Sequence, residues 1–241
     1  VGMDLTGDTD ITDPVIQYYT IATNTLTNLS AAGTDASVSG NRIVWTTFET
    51  HCWNGAGICE PGAPNPPDLN GDGDITDFIL RHHSIIGGVT ANTGVDCTQP
   101  TVDGSLVACI FDENQTFPDA PVDADFDADT VDLALQLYDL NTNALTNPMF
   151  PVHSTPTVAG RFVAYDLDEG FLGYSVPPAH GTELSGTGTM NDFVVCFYDT
   201  QTGAFTSTGV MGFSLSGDCL GGRVSVFESQ GGGLSGYIAL G

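Results

Sequence analysis

One acidic pattern recurs along the chain and limits the folds open to it. Its clearest copy runs from Asp68 to Asp77 and carries Asp, Asn, Asp, Asp and Asp at positions one, three, five, seven and ten. Alternate oxygen-bearing side chains in a tight, glycine-containing loop converge on one point, and calcium takes roughly six to eight oxygen ligands at about 2.3–2.6 Å. Without a cation, carboxylates held this close repel one another. The loop therefore predicts calcium binding in preference to a merely solvated acidic turn.

The same spacing occurs before and after this loop. The candidate calcium ligands in the three copies are Asp4, Thr6, Asp8, Asp10 and Asp13; Asp68, Asn70, Asp72, Asp74 and Asp77; and Asp123, Asp125, Asp127, Asp129 and Asp132. A fourth copy, Glu183 to Asp192, has Ser185, Thr187 and Thr189 at its inner positions. Because this copy has lost most of its charge, we expect a polar turn without an ion there. The sequence thus predicts about three calcium sites.

The segments around each loop repeat as well. Every loop precedes an aliphatic and aromatic stretch that predicts a strand, followed by a turn and a shorter strand. Further along, each repeat has an apolar stretch, a Gly turn and a second apolar stretch; these segments begin at Val38, Val102, Val158 and Leu220. The unit is therefore two strands, an acidic loop and two more strands. It recurs about every 55 to 64 residues.

Four antiparallel strands per repeat are the composition of a propeller blade. We therefore expect an all-β, propeller-like array in one domain, residues 1–241, with about four repeats and the calcium loops between the second and third strands. The approximate repeat segments are 1–32, 33–96, 97–152, 153–212 and 213–241. The first lacks the leading hairpin and the last lacks an acidic loop, so the two ends are expected to complete one another. They would either close a four-bladed ring or join neighbouring copies head to tail in a fibre, to which Tyr237–Leu240 could add a strand.

The repeat resembles known families in two respects. Its Gly-turn hairpin and following strand resemble the blades of TolB-type and WD40-like bacterial propellers. Its acidic insert resembles the calcium loops of integrin-type repeats. The insert also resembles the opening of an EF-hand loop, but Ile79 stands at position twelve, where that motif has a bidentate acid. The resemblance implies calcium ligation only, because no catalytic or ligand-binding residue of these families can be placed by motif.

The charge balance excludes several classes of partner. The chain has 30 acidic residues against four Lys and Arg together, a formal charge of −26. Nucleic acid and anionic membrane surfaces would be repelled, because binding to them needs basic patches. The sequence also lacks the run of about eighteen apolar residues that a membrane span needs, and without a basic-then-apolar leader we expect it to be a mature form from which any signal peptide is absent. A high-salt habitat is an alternative explanation for the acidity.

The six cysteines indicate an oxidising, extracellular compartment. Six cysteines permit fifteen pairings. We expect a Cys52–Cys59 staple, a Cys97–Cys109 bridge across the hairpin at Asp103, and Cys196–Cys219 by elimination. A zinc site at His51, Cys52 and Cys59 is less favoured because a fourth ligand is missing.

Other acids and histidines have two interpretations each. Glu49, Glu113 and Glu169 end the strand before each insert and would lie beside the start of the next strand, as additional ligands or as solvated acids. Glu228 could serve the first loop if the ends join. His82 and His83 point to opposite faces of a strand and align with Tyr18 and Tyr19. We therefore interpret both histidines as packing residues.

No catalytic motif accompanies these features. The sequence contains no nucleophile elbow, phosphate loop or isolated Cys–His constellation, so no catalytic residue and no cofactor other than calcium is predicted. We expect a non-enzymatic structural or adhesive protein, secreted or on a cell surface. Its partners would be further copies of itself, in an oligomer or filament, or a cell-surface glycan or protein. The alternative is a polysaccharide-active enzyme or a glycan-binding propeller module.

Overall fold

The described chain consists of short antiparallel strands. The computed structural model describes residue 5 and residues 14–49, 68–113, 133–148, 150–168, 183–188, 192–211, 215–216, 223–227 and 235–239. Across these residues, no helix is long and apolar enough to cross a membrane. The strands are β1 Val15–Thr20, β2 Thr25–Ala32, β3 Thr34–Ser39, β4 Arg42–Phe48, β5 Phe78–Ser84, β6 Val89–Asp96, β7 Thr98–Asp103, β8 Leu106–Asp112, β9 Leu133–Asp139, β10 Ala144–Thr146, β11 Thr157–Ala159, β12 Phe162–Asp168, β13 Phe193–Asp199, β14 Ala204–Met211, β15 Leu215–Ser216, β16 Arg223–Phe227 and β17 Ser235–Ala239.

These strands form three four-stranded sheets between two smaller ones. The larger sheets are the meanders β3-β4-β5-β6, β7-β8-β9-β10 and β11-β12-β13-β14, and the smaller ones are β1-β2 and β15-β16-β17. Residues 68–77 lie between β4 and β5, the second and third strands of their sheet. The predicted four-stranded antiparallel repeat is therefore confirmed in three sheets, and the position of its acidic loop is confirmed in the sheet β3-β4-β5-β6.

Each larger sheet begins with the same hairpin turn. The turn has two residues, and its first is Gly40, Gly104 or Gly160, with φ of +53°, +60° and +60°. A residue with a Cβ is strained in this left-handed region, and two-residue hairpins that match the strand twist favour glycine there. The Gly turns found in the sequence thus set the register of all three sheets.

Consecutive sheets pack face to face through buried apolar side chains. Ile16 and Ala31 of the first sheet pack on Trp45 of the second. Farther along, the next two interfaces bury Val44 and Leu80 with Val107 and Tyr138, and Leu135 with Val163 and Tyr165. Fully burying one such side chain contributes about 1.5–3 kcal/mol. Meanders stacked in chain order in this way are the blade arrangement of a β-propeller.

Hydrogen bonds between the Gly turns join the sheets along one line. The Ser39 hydroxyl donates to Oδ1 of Asp103 at 2.9 Å. The backbone N–H of Gly160 donates to Oδ2 of the same carboxylate at 2.7 Å. The Asp103 carboxylate therefore connects its own sheet to the sheet before it, through Ser39, and to the sheet after it, through Gly160. Ser39 and Asp103 hold equivalent positions in their repeats.

Among the described strands, the first sheet and the last sheet do not pair with each other. Among the strands that are described, β1 is hydrogen-bonded only to β2. The edge of β16 that was expected to meet β1 is covered by β17 instead, with Arg223 opposite Ala239 and Phe227 opposite Ser235. Of the segment predicted for donation to a neighbour, Tyr237–Ala239 therefore pair within their own chain, and Leu240 lies outside the described residues.

The disulfide predicted across the second Gly turn is confirmed. Cys97 and Cys109 are bonded, with their Cα atoms 5.7 Å apart. Cys196 is buried in the core between the last two larger sheets. The other predicted partners, Cys52, Cys59 and Cys219, and the rejected zinc ligand His51 lie outside the described residues.

The histidine pair on β5 contributes to packing. His83 is buried, its ring lies 5.8 Å from that of Tyr18, and its Nδ1 is 2.9 Å from the Thr90 hydroxyl. Burial lowers the pKa of both His82 and His83, which favours the neutral rings.

Candidate metal centre

The loop from Asp68 to Asp77 is closed by an acid outside it. Glu49, directly after β4, is buried, and its carboxylate accepts a hydrogen bond from the backbone N–H of Leu69. Its other oxygen lies 3.4 Å from the N–H of Asp77, while the Glu49 N–H donates to the Asp77 carbonyl at 3.0 Å. One side chain thus holds both ends of the loop against the end of β4.

Three carboxylates meet where the loop joins β5. Glu49, Asp74 and Asp77 each offer an oxygen, and these oxygens lie within 4.8 Å of one another. Glu49 and Asp77 are buried, and Asp74 is half-buried. Three carboxylates at this separation could hold a metal ion. Of the two interpretations of Glu49, the structure favours the additional ligand over the solvated acid.

Two further predicted ligands, Asn70 and Asp72, lie beside this cluster and are linked to it by the side-chain amide of Asn70. The side-chain N–H groups of Asn70 donate to Oδ2 of Asp72 and to Oδ2 of Asp77, both at 3.0 Å. Asp72 is also buried. Its Oδ1 accepts the N–H of Asp74 at 3.0 Å.

Asp68, in contrast, folds the turn. Its carboxylate accepts backbone N–H groups from Gly71 at 2.5 Å, from Asp72 at 3.2 Å and from Gly73 at 3.0 Å. It does not belong to the group of close oxygens formed by Glu49, Asp74 and Asp77. Of the five candidate ligands in this loop, the structure therefore brings Asp74 and Asp77 together, places Asn70 and Asp72 beside them, and gives Asp68 an organising role.

The electrostatics of the cluster favour a cation. Burial, followed by the hydrogen bond with the Asp72 carboxyl, raises the pKa of Asp77 to about 7. Burial also raises the pKa of Glu49. The pKa of Asp74 is lowered, first by the Thr76 backbone N–H and then by the Thr76 hydroxyl. A cation would supply the positive charge that Asp77 and Glu49 need in order to ionise together.

A fifth acid, Asp96 at the end of β6, faces the same cluster. Burial, together with the charges of Asp77, Asp72 and Glu49, raises the pKa of Asp96 to about 8. The spacing of the acidic loops does not single out Asp96. The signal for it was its departure from the repeat, because β6 pairs Asp96 with Ile79 where β2 has Ala32 and β14 has Met211.

In two sheets, the last strand donates a side-chain hydrogen bond to the loop region. The side-chain amide of Asn92 on β6 donates to the Leu69 carbonyl at 2.8 Å, and Asn28 on β2 donates to the Leu5 carbonyl at 2.6 Å. A Cβ on Gly94 would lie 3.6 Å from the Leu69 carbonyl oxygen. Beside the loop, a cavity of about 220 Å³ is bordered by Asn70, Asp72 and Asp96 among others. This cavity leaves space for water ligands.

The fourth loop is closed by hydroxyl groups. Ser185 donates to Oδ2 of Asp192 at 3.0 Å, and Thr187 donates to the same oxygen. Glu183 accepts the Ser185 hydroxyl and the Gly188 N–H, both at 3.1 Å. Ser185 and Thr187 thus place hydroxyl donors at the positions that Asn70 and Asp72 hold in the second loop.

The other predicted ligands lie outside the described residues. These are Asp4, Thr6, Asp8, Asp10 and Asp13 of the first loop and Asp123, Asp125, Asp127, Asp129 and Asp132 of the third. Glu113, the counterpart of Glu49 before the third loop, is described and fully buried at the end of β8. Glu169 and Glu228 are not among the described residues.

No protein-family model and no curated protein sequence matches this chain. Among solved structures, it is similar to the β-propeller domain of the Trilobed protease from Pyrococcus furiosus, at 10% identity and a TM-score of 0.45, over 80% of this chain and 47% of that one. It is also similar to TolB from Acinetobacter baumannii, at 10% identity and a TM-score of 0.40, over 88% and 56%. A manganese complex of oligogalacturonate lyase matches at 12% identity and a TM-score of 0.47, over 92% and 55%. The chain spans about half the length of these structures.

Proposed function

We propose that the Asp68–Asp77 loop binds calcium together with Glu49. The observation that carries this proposal is the close group of oxygens on Glu49, Asp74 and Asp77. Calcium prefers carboxylate and carbonyl oxygens and accepts irregular geometry with several waters. Asp72 would add a carboxylate, and Asn70 would add its carbonyl oxygen after rotation of its amide.

The proposed role of the ion is to lock a blade. Glu49 follows β4 and Asp77 precedes β5, so a cation shared by the two ties the central strand pair of the sheet at its open end. Calcium at a hundredfold excess over its dissociation constant adds about 2.7 kcal/mol per site to the free energy of unfolding. The spacing of the first and third loops supports the same role for them, as in the integrin-type loops that they resemble.

We infer a structural or adhesive protein of the extracellular space from three supports. Loops of this kind in extracellular modules are tuned to calcium at about 10⁻⁴–10⁻³ M. The Cys97–Cys109 disulfide fits an oxidising compartment. The repeated sheets offer a rigid scaffold, and the resemblance places no catalytic residue on it.

Hydrogen exchange with and without calcium tests this function. Calcium should slow amide exchange in β4 and β5 relative to the chelated chain, while magnesium at the same concentration should do so much less. The same samples are incubated with neutral and acidic polysaccharides, and new reducing ends are measured. Equal exchange in calcium and chelator would contradict the locking role, and turnover of a polysaccharide would contradict the structural one.

A further inference from the structure

The first sheet has an open edge where the other sheets continue. β1 is the repeat counterpart of β5, β9 and β13, which pair on one side with β4, β8 and β12. Within the described strands, β1 has β2 on its outer side and no strand on this inner side. Such an edge presents unpaired backbone N–H and C=O groups to any strand that fits it.

Apolar side chains are exposed beside this edge, although their counterparts are buried. Val38 on β3 is 65% exposed, whereas Val102 and Val158 at the same repeat position are 5% and 1% exposed. Tyr19 on β1 is 54% exposed, and its counterpart Tyr138 is 5% exposed. In the next interface, β7 packs on both β4 and β5 of the preceding sheet, whereas among the described strands of the first sheet it is β1 that contacts β3.

A cavity lies beside the open edge of β1, where the first two strands of a complete sheet would lie. It measures about 540 Å³, and its lining includes Tyr18, Tyr19, Ser37, Val38 and Ile43. The exposed valine and tyrosine therefore border a space that a strand pair would fill.

The sequence repeat identifies the strand that fits. Val224 in β16 aligns with Arg42, Leu106 and Phe162, the first residues of β4, β8 and β12, respectively. Those residues stand opposite Ser84, Asp139 and Asp199, respectively. The counterpart of these partners on β1 is Thr20. β16 would therefore lie against β1 with Val224 opposite Thr20 and Ser225 opposite Tyr19.

We propose that the open edge of β1 and the cavity beside it receive β16 from a second copy of the chain. This proposal rests on the structural role given above and names its interface. Within one copy, the β15-β16-β17 sheet contacts β11 and β12, while β1 contacts β3, so the incomplete sheets lie at opposite ends of the series. A contact between unlike ends of identical chains propagates head to tail.

In this arrangement β17 covers, in the free chain, the edge of β16 that would pair with β1 of a second copy. It pairs along the whole of β16, from Arg223 to Phe227, on the edge that β1 needs. β17 would be exchanged for β1 of the next copy when the contact forms, as in assemblies built by strand addition. The free chain thus keeps the β16 edge covered until a partner arrives.

A charge on the receiving surface tests the interface. Val38→Glu places a carboxylate where β16 would bury it, while the free chain tolerates it because Val38 is exposed. The control is Ile86→Glu at another exposed position outside the cavity. Sedimentation velocity in millimolar calcium should show concentration-dependent chains of subunits for the wild type and Ile86→Glu, and monomers for Val38→Glu. A monomeric wild type, or a Val38→Glu variant that assembles equally well, would overturn the proposal.

Cross-linking separates a second copy from closure within one chain. The double variant Tyr19→Cys with Ser225→Cys, oxidised at assembling concentrations, should give a ladder of covalent oligomers on a non-reducing gel. The control Tyr19→Cys with Thr206→Cys, on the exposed side of β14, should give no ladder. A covalently closed monomer from the first variant would overturn the proposal in favour of a ring.

Weakening β17 tests its role as the cover of the β16 edge. Of two adjacent strand residues, one directs its N–H toward the neighbouring strand, so Tyr237→Pro with Ile238→Pro removes a β16–β17 hydrogen bond. This variant should assemble at lower concentration than the wild type, and weaker assembly would contradict the exchange. These readouts are separate from calcium stabilisation: if calcium raises the melting temperature but no copy assembles, only the interface fails.

Discussion

Replacing Asp77 by Asn should stabilise the chelated protein and destabilise the calcium-bound one. The substitution keeps the shape of a buried side chain. It removes the negative charge of Asp77, a charge that lowers the free energy of unfolding of the chelated protein. Burial and Asp72 raise the pKa of Asp77 from 3.8 to about 7, and each pKa unit corresponds to about 1.4 kcal/mol. Ionised Asp77 at pH 8 therefore costs the chelated protein at most about 4 kcal/mol of folding free energy. The new amide forfeits part of this gain, and we expect roughly 2 kcal/mol of stabilisation.

Calcium should reverse the order of the two proteins. At about a thousandfold excess over its dissociation constant, the ion contributes about 4 kcal/mol at one site. If Asp77→Asn abolishes that site, the variant falls about 2 kcal/mol below the wild type. For a chain of this size, each kcal/mol corresponds to about 2–4 °C in melting temperature. The variant should thus melt about 4–8 °C higher than the wild type in chelator and about 4–8 °C lower in calcium.

Thermal unfolding followed by circular dichroism in the two buffers measures both differences. The matched control is Asp192→Asn, the same substitution at the equivalent position of the fourth loop, where hydroxyls of Ser185 and Thr187 donate to the carboxylate. Its effect should be the same in calcium and chelator. An Asp77→Asn variant that melts lower than the wild type by the same amount in both buffers would refute the assignment of the metal site.

Three further predictions concern the same sheets. Glu49→Gln should weaken calcium binding at least about tenfold, because a buried ligand loses its charge; calcium titration against Glu183→Gln as the control checks this. Because the pKa values of Asp77 and Asp96 are raised to about 7 and about 8, the stability of the chelated protein should be highest near pH 4 and fall as the pH rises through 8. The calcium-induced rise in melting temperature should instead grow between pH 5 and pH 8, since the ligands must ionise, and a rise that shrinks would be inconsistent with these carboxylates as ligands. Cys97→Ser should lower the free energy of unfolding by about 3 kcal/mol relative to the oxidised wild type, the value for a loop of this length; denaturant unfolding measures it, and the reduced wild type should unfold like the variant.

The sheets could be predicted because each sequence signal recurs in several copies that can be compared with one another. Apolar segments, Gly turns and acidic loops recur at one spacing, so four copies of each signal agree on strand number and loop position. The Cys97–Cys109 bridge followed from the near-equal distances of the two cysteines from one Gly turn. Fold class and loop placement are thus properties of the pattern, not of any single residue.

The centre itself could be predicted only in part. Spacing alone treats Asp68, Asp72 and Asp74 alike, but the folded loop uses Asp68 to accept backbone N–H groups. The role of Glu49 stayed open because it depends on which strand ends meet in space. Asp96 has no acidic counterpart in the other sheets, so the repeat that identified the loop concealed it.

The ends of the chain show a different limit. β17 has no counterpart in the repeat, and an edge strand accepts any segment that can supply matching backbone groups. The pairing of β16 with β17 therefore could not follow from the pattern, which assigns that edge to β1.

Calorimetric titration of calcium into the chelator-treated protein tests the central claim most directly. Wild type and Asp77→Asn are titrated side by side at pH 8, and the number of bound ions is compared. The wild type should bind about three calcium ions, one per acidic loop, and the variant should bind one fewer, with the remaining sites unchanged. Equal numbers of bound ions in the two proteins, or no binding to either, would contradict calcium ligation at the loop that joins β4 to β5.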